Sequence, residues 1–300
     1  DEFDAVIKMG RTQLQDAVPI RLGQEFHAYA SAIGRDIRRF DNAKEEIRSL
    51  NMGGTAIGTG LNADTTYFHR VVKNMSTITG EELVQSYDTI DATQNLDSYA
   101  MVSGIVKSCA VNLSKMCNDL RLMSSGPRTG FCEINLPAKQ NGSSIMPGKI
   151  NPVIPEVVNQ VAFNIIGNDV TITMAAEAGQ LELNAFEPII FYNLFESIQT
   201  LSNAVQTLVD NCIVGITANE EHCREMVESS IGIITAICPY VGYETAANIA
   251  KEALRTNQSV RELILQKKLL SEEQLKTILD PYTMTKPGIQ GRNPADLLSD

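Results

Sequence analysis

One short segment stands out for the chemistry it could do: Gly142-Ser143-Ser144-Ile145-Met146-Pro147-Gly148-Lys149-Ile150-Asn151-Pro152. Two hydroxyls, one ammonium and one amide fall within nine residues, among glycines and prolines that forbid a regular helix. Lysine and amide donors suit an anion, and a serine in such a field can act as a base. A polar loop between helices, with a serine-rich tip, fits the same spacing.

Two further segments have comparable texture. Gly10-Arg11-Thr12-Gln13-Leu14-Gln15-Asp16-Ala17-Val18-Pro19 lies near the start, and Gly179-Gln180-Leu181-Glu182-Leu183-Asn184 lies beyond the middle. Taken in order, the three resemble the fumarase/aspartase superfamily. Residues 142–151 match its Gly-Ser-x-x-Met-x-x-Lys-x-Asn signature at every fixed position, and residues 10–19 match its Gly-Arg-Thr-x-x-Gln-Asp-Ala-x-Pro segment. The similarity runs from Lys8 to Gly291.

The resemblance implies a role for each matching residue. Ser143 corresponds to the general base, which removes a proton from the carbon beside a carboxylate. Lys149 and Asn151 correspond to residues that bind a substrate carboxylate. Thr12 and Gln13 correspond to a second binding segment, and Ser144 to a neighbour of the base that touches substrate. A carbon-bound proton of this kind leaves only if the adjacent carboxylate accepts the charge, so donors fixed on its oxygens lower the barrier.

Gln13 departs from the superfamily's hydratases, which carry histidine there, paired with a glutamate. Glu156 stands at the glutamate position, but a glutamine cannot form the pair that polarises water. With glutamine here, as in several of the superfamily's bacterial ammonia-lyases, the resemblance implies elimination of ammonia from L-aspartate to give fumarate, by a carbon–nitrogen lyase with no organic cofactor. Hydration of fumarate on the same scaffold is the first alternative. A non-catalytic structural protein derived from a lyase is the second. The resemblance also implies a homotetramer with active sites shared between subunits. A further serine/threonine/asparagine cluster would lie in an N-terminal domain upstream of Asp1, where the chain opens without Met.

Other candidates carry less. Gly58-Thr59-Gly60-Leu61-Asn62-Ala63 fits a dinucleotide pattern, but no strand precedes it and it reads as a loop. His27, His69 and His222 are far apart and suggest no metal motif; His222 reads as a solvated helix residue. Asn168, Glu177 and Glu182 could support the site or cap a helix.

The elements that must hold these residues are long helices. Apolar residues recur at threes and fours over about 19–50, 92–123, 153–176 and 187–213. Helices of that length reach about 35–45 Å and pack side by side. The expectation is an all-α fold: an elongated bundle over residues 1–217 carrying the catalytic loop, and a small helical C-terminal domain over 218–300. Ser259 with Glu262, and Ser271 with Gln274, predict capping boxes in that last part.

Composition narrows the class. A net charge of -11 argues against nucleic-acid binding and requires positive charge to be supplied locally to any anionic substrate. No apolar run approaches the roughly 20 residues that span a bilayer. The 6 cysteines form no CxxC pair, which points to free thiols in a reducing cytoplasm.

Overall fold

The chain enters as a β-hairpin, and everything long after it is helix. Residues 1–142 and 145–291 are described by the computed structural model. Strand β1 (Ile7–Thr12) pairs antiparallel with β2 (Gln15–Arg21). Helices follow: α1 (Leu22–Glu46), α2 (Thr65–Thr79), α3 (Asp91–Gln94), α4 (Asp97–Met123), α5 (Val153–Glu177) and α6 (Glu187–Leu208). Then come α7 (Glu220–Ser229), α8 (Cys238–Val241), α9 (Tyr243–Thr256), α10 (Val260–Gln266) and α11 (Glu272–Ile278). The remaining strands are two residues long: β3 (Ser49–Leu50) beside β4 (Val84–Gln85), and β5 (Ile134–Asn135) beside β6 (Thr217–Ala218). The fold is all-α in class.

Residues 19–21, expected to begin the first helix, instead close the hairpin; proline at 19 suits a strand whose outer edge is unpaired. Helix α6 ends at Leu208 and passes into a π turn over Val209–Ile213. Both capping boxes form, with each serine accepting from the residue three on and that residue's side chain accepting in return.

The described residues form two compact units that do not follow chain order. One comprises residues 1–29, 123–135 and 216 onward; the other comprises 30–122 and 136–215. The expected boundary at 217/218 falls beside Ile216, where the chain passes into the first unit for the last time. Residues 1–29 and 123–135, read from sequence as bundle, cluster with the C-terminal segment.

The first unit has its own core. Met9 from β1 packs among Val227, Ile233, Ile237, Ile249, Leu263, Ile264 and Leu275. In the second unit, α4 and α5 run antiparallel. Their register is pinned by buried polar pairs: Ser103 Oγ donates to Asp169 at 2.7 Å, and Asn159 donates to Ser114 Oγ at 2.8 Å. Along α4 the residues recurring at threes and fours from Ser103 to Leu120 are buried: Ser103, Val106, Ala110, Leu113, Cys117 and Leu120. Helix α1 differs: beside Leu22 and Ala43 it buries Asp36, which accepts from Asn112 and Arg39, while Ile37 is exposed.

Candidate active site

The signature loop is built by one turn. Met146-Pro147-Gly148-Lys149 closes with the Lys149 amide donating to the Met146 carbonyl at 3.2 Å. Gly148 has φ 82, and proline precedes it, which are the requirements of a type II turn. Lys149 thus emerges directly from a tight turn with its side chain exposed. Two residues on, Asn151 donates to Gln140 Oε1 at 3.5 Å, which ties the loop's exit to its entry. Its carbonyl accepts from the Val153 amide at the start of α5. The structure therefore sets Lys149 and Asn151 on one short segment, leading into a helix. Ser143 and Ser144 lie outside the described residues.

Glu156 lies in the first turn of α5, where its charge is favoured by the helix dipole. It accepts from Arg121 at 3.4 Å, and Arg121 also reaches Asn159 Oδ1 at 3.3 Å. The Glu156 carboxylate is thus engaged by an arginine of its own unit.

Thr12 and Gln13 belong to the other unit, at the tip of the β1–β2 hairpin, and both are exposed. Thr12 pairs with Gln15, leaving Gln13 and Leu14 as a two-residue turn with φ 53 and φ 62. Left-handed backbone at both positions defines a type I′ turn, which normally takes Asn-Gly. For residues with a Cβ this conformation costs about 1–2 kcal/mol each, and such strain gathers at functional sites. Behind the turn the strands approach closely: a Cβ at Gly10 would stand 2.6 Å from the Val18 carbonyl oxygen. Asp16 accepts from Ser230 Oγ at 2.7 Å, fastening β2 to the C-terminal segment.

Sequence reasoning missed the charges beneath this hairpin. Lys8 is buried, 2.8 Å from both Glu25 and Glu133, and Arg11 donates to Glu133. Burial alone would lower the Lys8 pKa, but Glu25 and Glu133 together hold it above its ordinary value. The signal available in sequence was a lysine flanked by Ile7 and Met9.

The remaining candidates are either engaged within the fold or exposed. Asn184 is fully buried; its amide donates to the Ala175 and Ala176 carbonyls at 3.0 Å and so closes the end of α5. Asn168 donates to Glu196 and Ser197. Glu177 and Glu182 are exposed. The Gly58 loop is closed against Ile90, and Asp64 occupies the free amides of α2 that an anion would need. His222, expected to be solvated, is half-buried with Nε2 3.0 Å from the Phe131 carbonyl. The thiols of Cys109 and Cys117 are pushed up to about 12 by burial, and those of Cys212 and Cys223 to about 11, which removes all four as nucleophiles at neutral pH. Among the described residues no helix is long and apolar enough to cross a membrane.

Comparison with known proteins bears on this arrangement. The profile of the family described as Lyase matches residues 1–167, and that of Fumarase C C-terminus matches residues 233–286. The aspartate ammonia-lyase of Bacillus subtilis (strain 168) is 57% identical over 291 residues, covering 97% of this chain and 61% of that protein. The aspartate ammonia-lyase of Helicobacter pylori (strain ATCC 700392 / 26695) is 55% identical over 286 residues, covering 95% of this chain and 61% of that protein. The chain thus spans about three-fifths of the length of these curated relatives. Among solved structures, a fumarate lyase:delta crystallin from Brucella melitensis superposes with a TM-score of 0.91 at 51% identity, covering 95% of this chain and 62% of that one. The class II fumarase from Schistosoma mansoni superposes at 0.90 with 34% identity, covering 95% and 63%.

Proposed function

The chain belongs to the Lyase family, and from that premise we propose that the protein eliminates ammonia from L-aspartate to give fumarate. The observation that carries ammonia over water is Gln13. The exposed tip of the hairpin presents an amide where a hydratase presents an imidazole, and Glu156 is held by Arg121. An amide has no titratable proton with which to activate water. The likeness to curated aspartate ammonia-lyases supports the same choice.

In this reading Ser143 takes a proton from Cβ of aspartate. The electron pair flows into the adjacent carboxylate, which becomes a dianionic enolate-like species. Lys149 and Asn151 stabilise that species more than the ground state, because their donors are aimed at oxygens whose charge grows. The pair then forms the Cα–Cβ double bond as the C–N bond breaks and ammonia leaves. Ser144 contacts the substrate beside the base, and Thr12 and Gln13 hold the second carboxylate. The sequence is redox-neutral. The proline–glycine turn matters because it fixes the lysine backbone before substrate arrives.

The proposal extends to a homotetramer in the cytoplasm with sites shared between subunits. Its support is the apolar side chains that the bundle leaves uncovered. Phe163, Ile166, Val170 and Met174 form an exposed stripe on α5 with helical spacing, and Tyr192 and Phe195 are exposed on α6.

The test is the fate of two substrates. Aspartate should release fumarate and ammonia, while fumarate without ammonia should give no malate. Ser143→Ala should lose about 10²-fold or more in kcat with an unchanged circular dichroism spectrum. Malate formation from fumarate alone, without ammonia release from aspartate, would assign the protein to hydration instead.

A further inference from the structure

A four-charge cluster lies beneath the β1–β2 turn, and none of its members takes part in the proposed chemistry. Glu133 is fully buried. Its Oε2 lies 2.8 Å from Lys8 Nζ, and its Oε1 accepts from Arg11. Lys8 meets Glu25 at 2.8 Å as well, so the set balances two cations against two anions. Arg11 is held on every side: it donates to the Met9 carbonyl at 3.1 Å and its guanidinium stands 4.1 Å from the centre of the Phe131 ring.

A balanced buried cluster is a poor source of stability, since well-packed apolar side chains of the same size generally do as well. What it supplies is a unique arrangement: each charge tolerates only the position in which its partner is met. Here the arrangement has an address. Both cations stand on β1, and Arg11 is the residue immediately before Thr12. The turn that follows is left-handed at two residues with side chains, a conformation that a free hairpin would leave.

We propose that Glu133 is a positioning residue for substrate: through Arg11 and Lys8 it anchors β1 and holds the Thr12–Gln13 turn in the conformation that meets a dicarboxylate. The inference rests on the reading of Thr12 and Gln13 as substrate-binding residues. Glu133 never touches substrate; it acts by holding Arg11, whose Nη1 meets the carboxylate, whose Nη2 reaches Met226 Sδ at 3.6 Å, and whose guanidinium lies over Phe131. A lysine at position 11 would keep the charge but lose the second nitrogen's contact with Met226 and the stacking on Phe131.

The experiment is a mutant cycle in the active enzyme. Arg11→Lys and Glu133→Gln are each made alone and in a background carrying Thr12→Ala and Gln13→Ala. Expected alone is a KM for aspartate raised about tenfold with kcat within about twofold, since the turn binds rather than reacts. In the trimmed background neither change should raise KM further, because the side chains it positions are gone. A purely structural role would give the same multiplication in both backgrounds, and that result overturns the proposal. An unchanged KM in Arg11→Lys overturns it too. If Glu133→Gln fails to fold, Arg11→Lys decides alone. If Thr12→Ala with Gln13→Ala leaves KM at its original value, the reading of the turn as a binding segment falls, and the positioning role falls with it.

Discussion

Lys149 illustrates how a single side chain is fixed by its neighbours' types. Proline sets the first corner of the turn and Gly148 the second, so the lysine backbone is placed before any ligand binds. With a net charge of -11, the chain as a whole repels a dicarboxylate, and the attraction must come from such local cations. Lys149→Met should therefore weaken succinate, an unreactive analogue, by about 10–100-fold, the worth of one hydrogen bond to a charged group. Calorimetry would show it, and unchanged affinity would mean that Lys149 faces elsewhere. The turn that carries it was legible in the sequence because its backbone requirements are written within four consecutive positions. Glu133 was not. Its partner Arg11 is 122 residues away, and the local stretch Cys132-Glu133-Ile134 gives no sign that the carboxylate is buried. A charge whose burial is justified only by a distant partner has no local signature.

At the level of elements, the hairpin and the helices failed and succeeded for one reason. Periodicity records which residues avoid water, and says nothing about what covers them. Helix α4 buries its recurring stripe from Ser103 to Leu120, with Met101, Val111 and Leu122 exposed on other faces. Helices α5 and α6 carry apolar residues on more than one face, and the spacing alone could not choose: Val157, Ile198 and Val205, which fall on the recurring threes and fours, are exposed. The hairpin was missed because its alternation is broken by a buried lysine and by a register shift between Met9 and Arg11. Its tip offers a direct measurement. Leu14 is 61% exposed at φ 62, and its side chain opposes a backbone that glycine adopts freely. Leu14→Gly should raise unfolding free energy by about 1 kcal/mol in a denaturant titration. Destabilisation would mean that packing at the tip outweighs the backbone strain. Gly10→Ala should do the reverse, since its Cβ would meet the Val18 carbonyl oxygen at 2.6 Å.

At the scale of the whole molecule, uncovered apolar surface has to be accounted for. Phe163 and Phe195 are each 63% exposed, and monomeric proteins rarely leave contiguous patches of such residues facing water. A second copy of the chain is the occupant that the proposed homotetramer supplies. Phe195→Lys should then reduce the particle mass seen by light scattering, with helical content retained, because a lysine there would have to be desolvated without a partner. A mass unchanged by the substitution would place the interface on another face. This surface was already present in the sequence as apolar residues outside the stripes, but a single chain's periodicity cannot distinguish a subunit contact from a core.

The unit that holds the hairpin is assembled from three stretches of sequence: residues 1–29, 123–135 and 216 onward. Met9 finds its neighbours at Val227 and Ile233, and Arg11 finds Glu133. On the ribosome these partners emerge in that order, with almost two hundred residues between the first stretch and the last. At about 5–20 residues per second, the hairpin waits roughly 10–40 s for the helices that enclose it. Through that interval Lys8 and Arg11 keep the waiting strand charged, which discourages its open edge from pairing with another nascent chain. The same two cations that later help to fix the turn in place would first serve to keep it solvated until its enclosure is made.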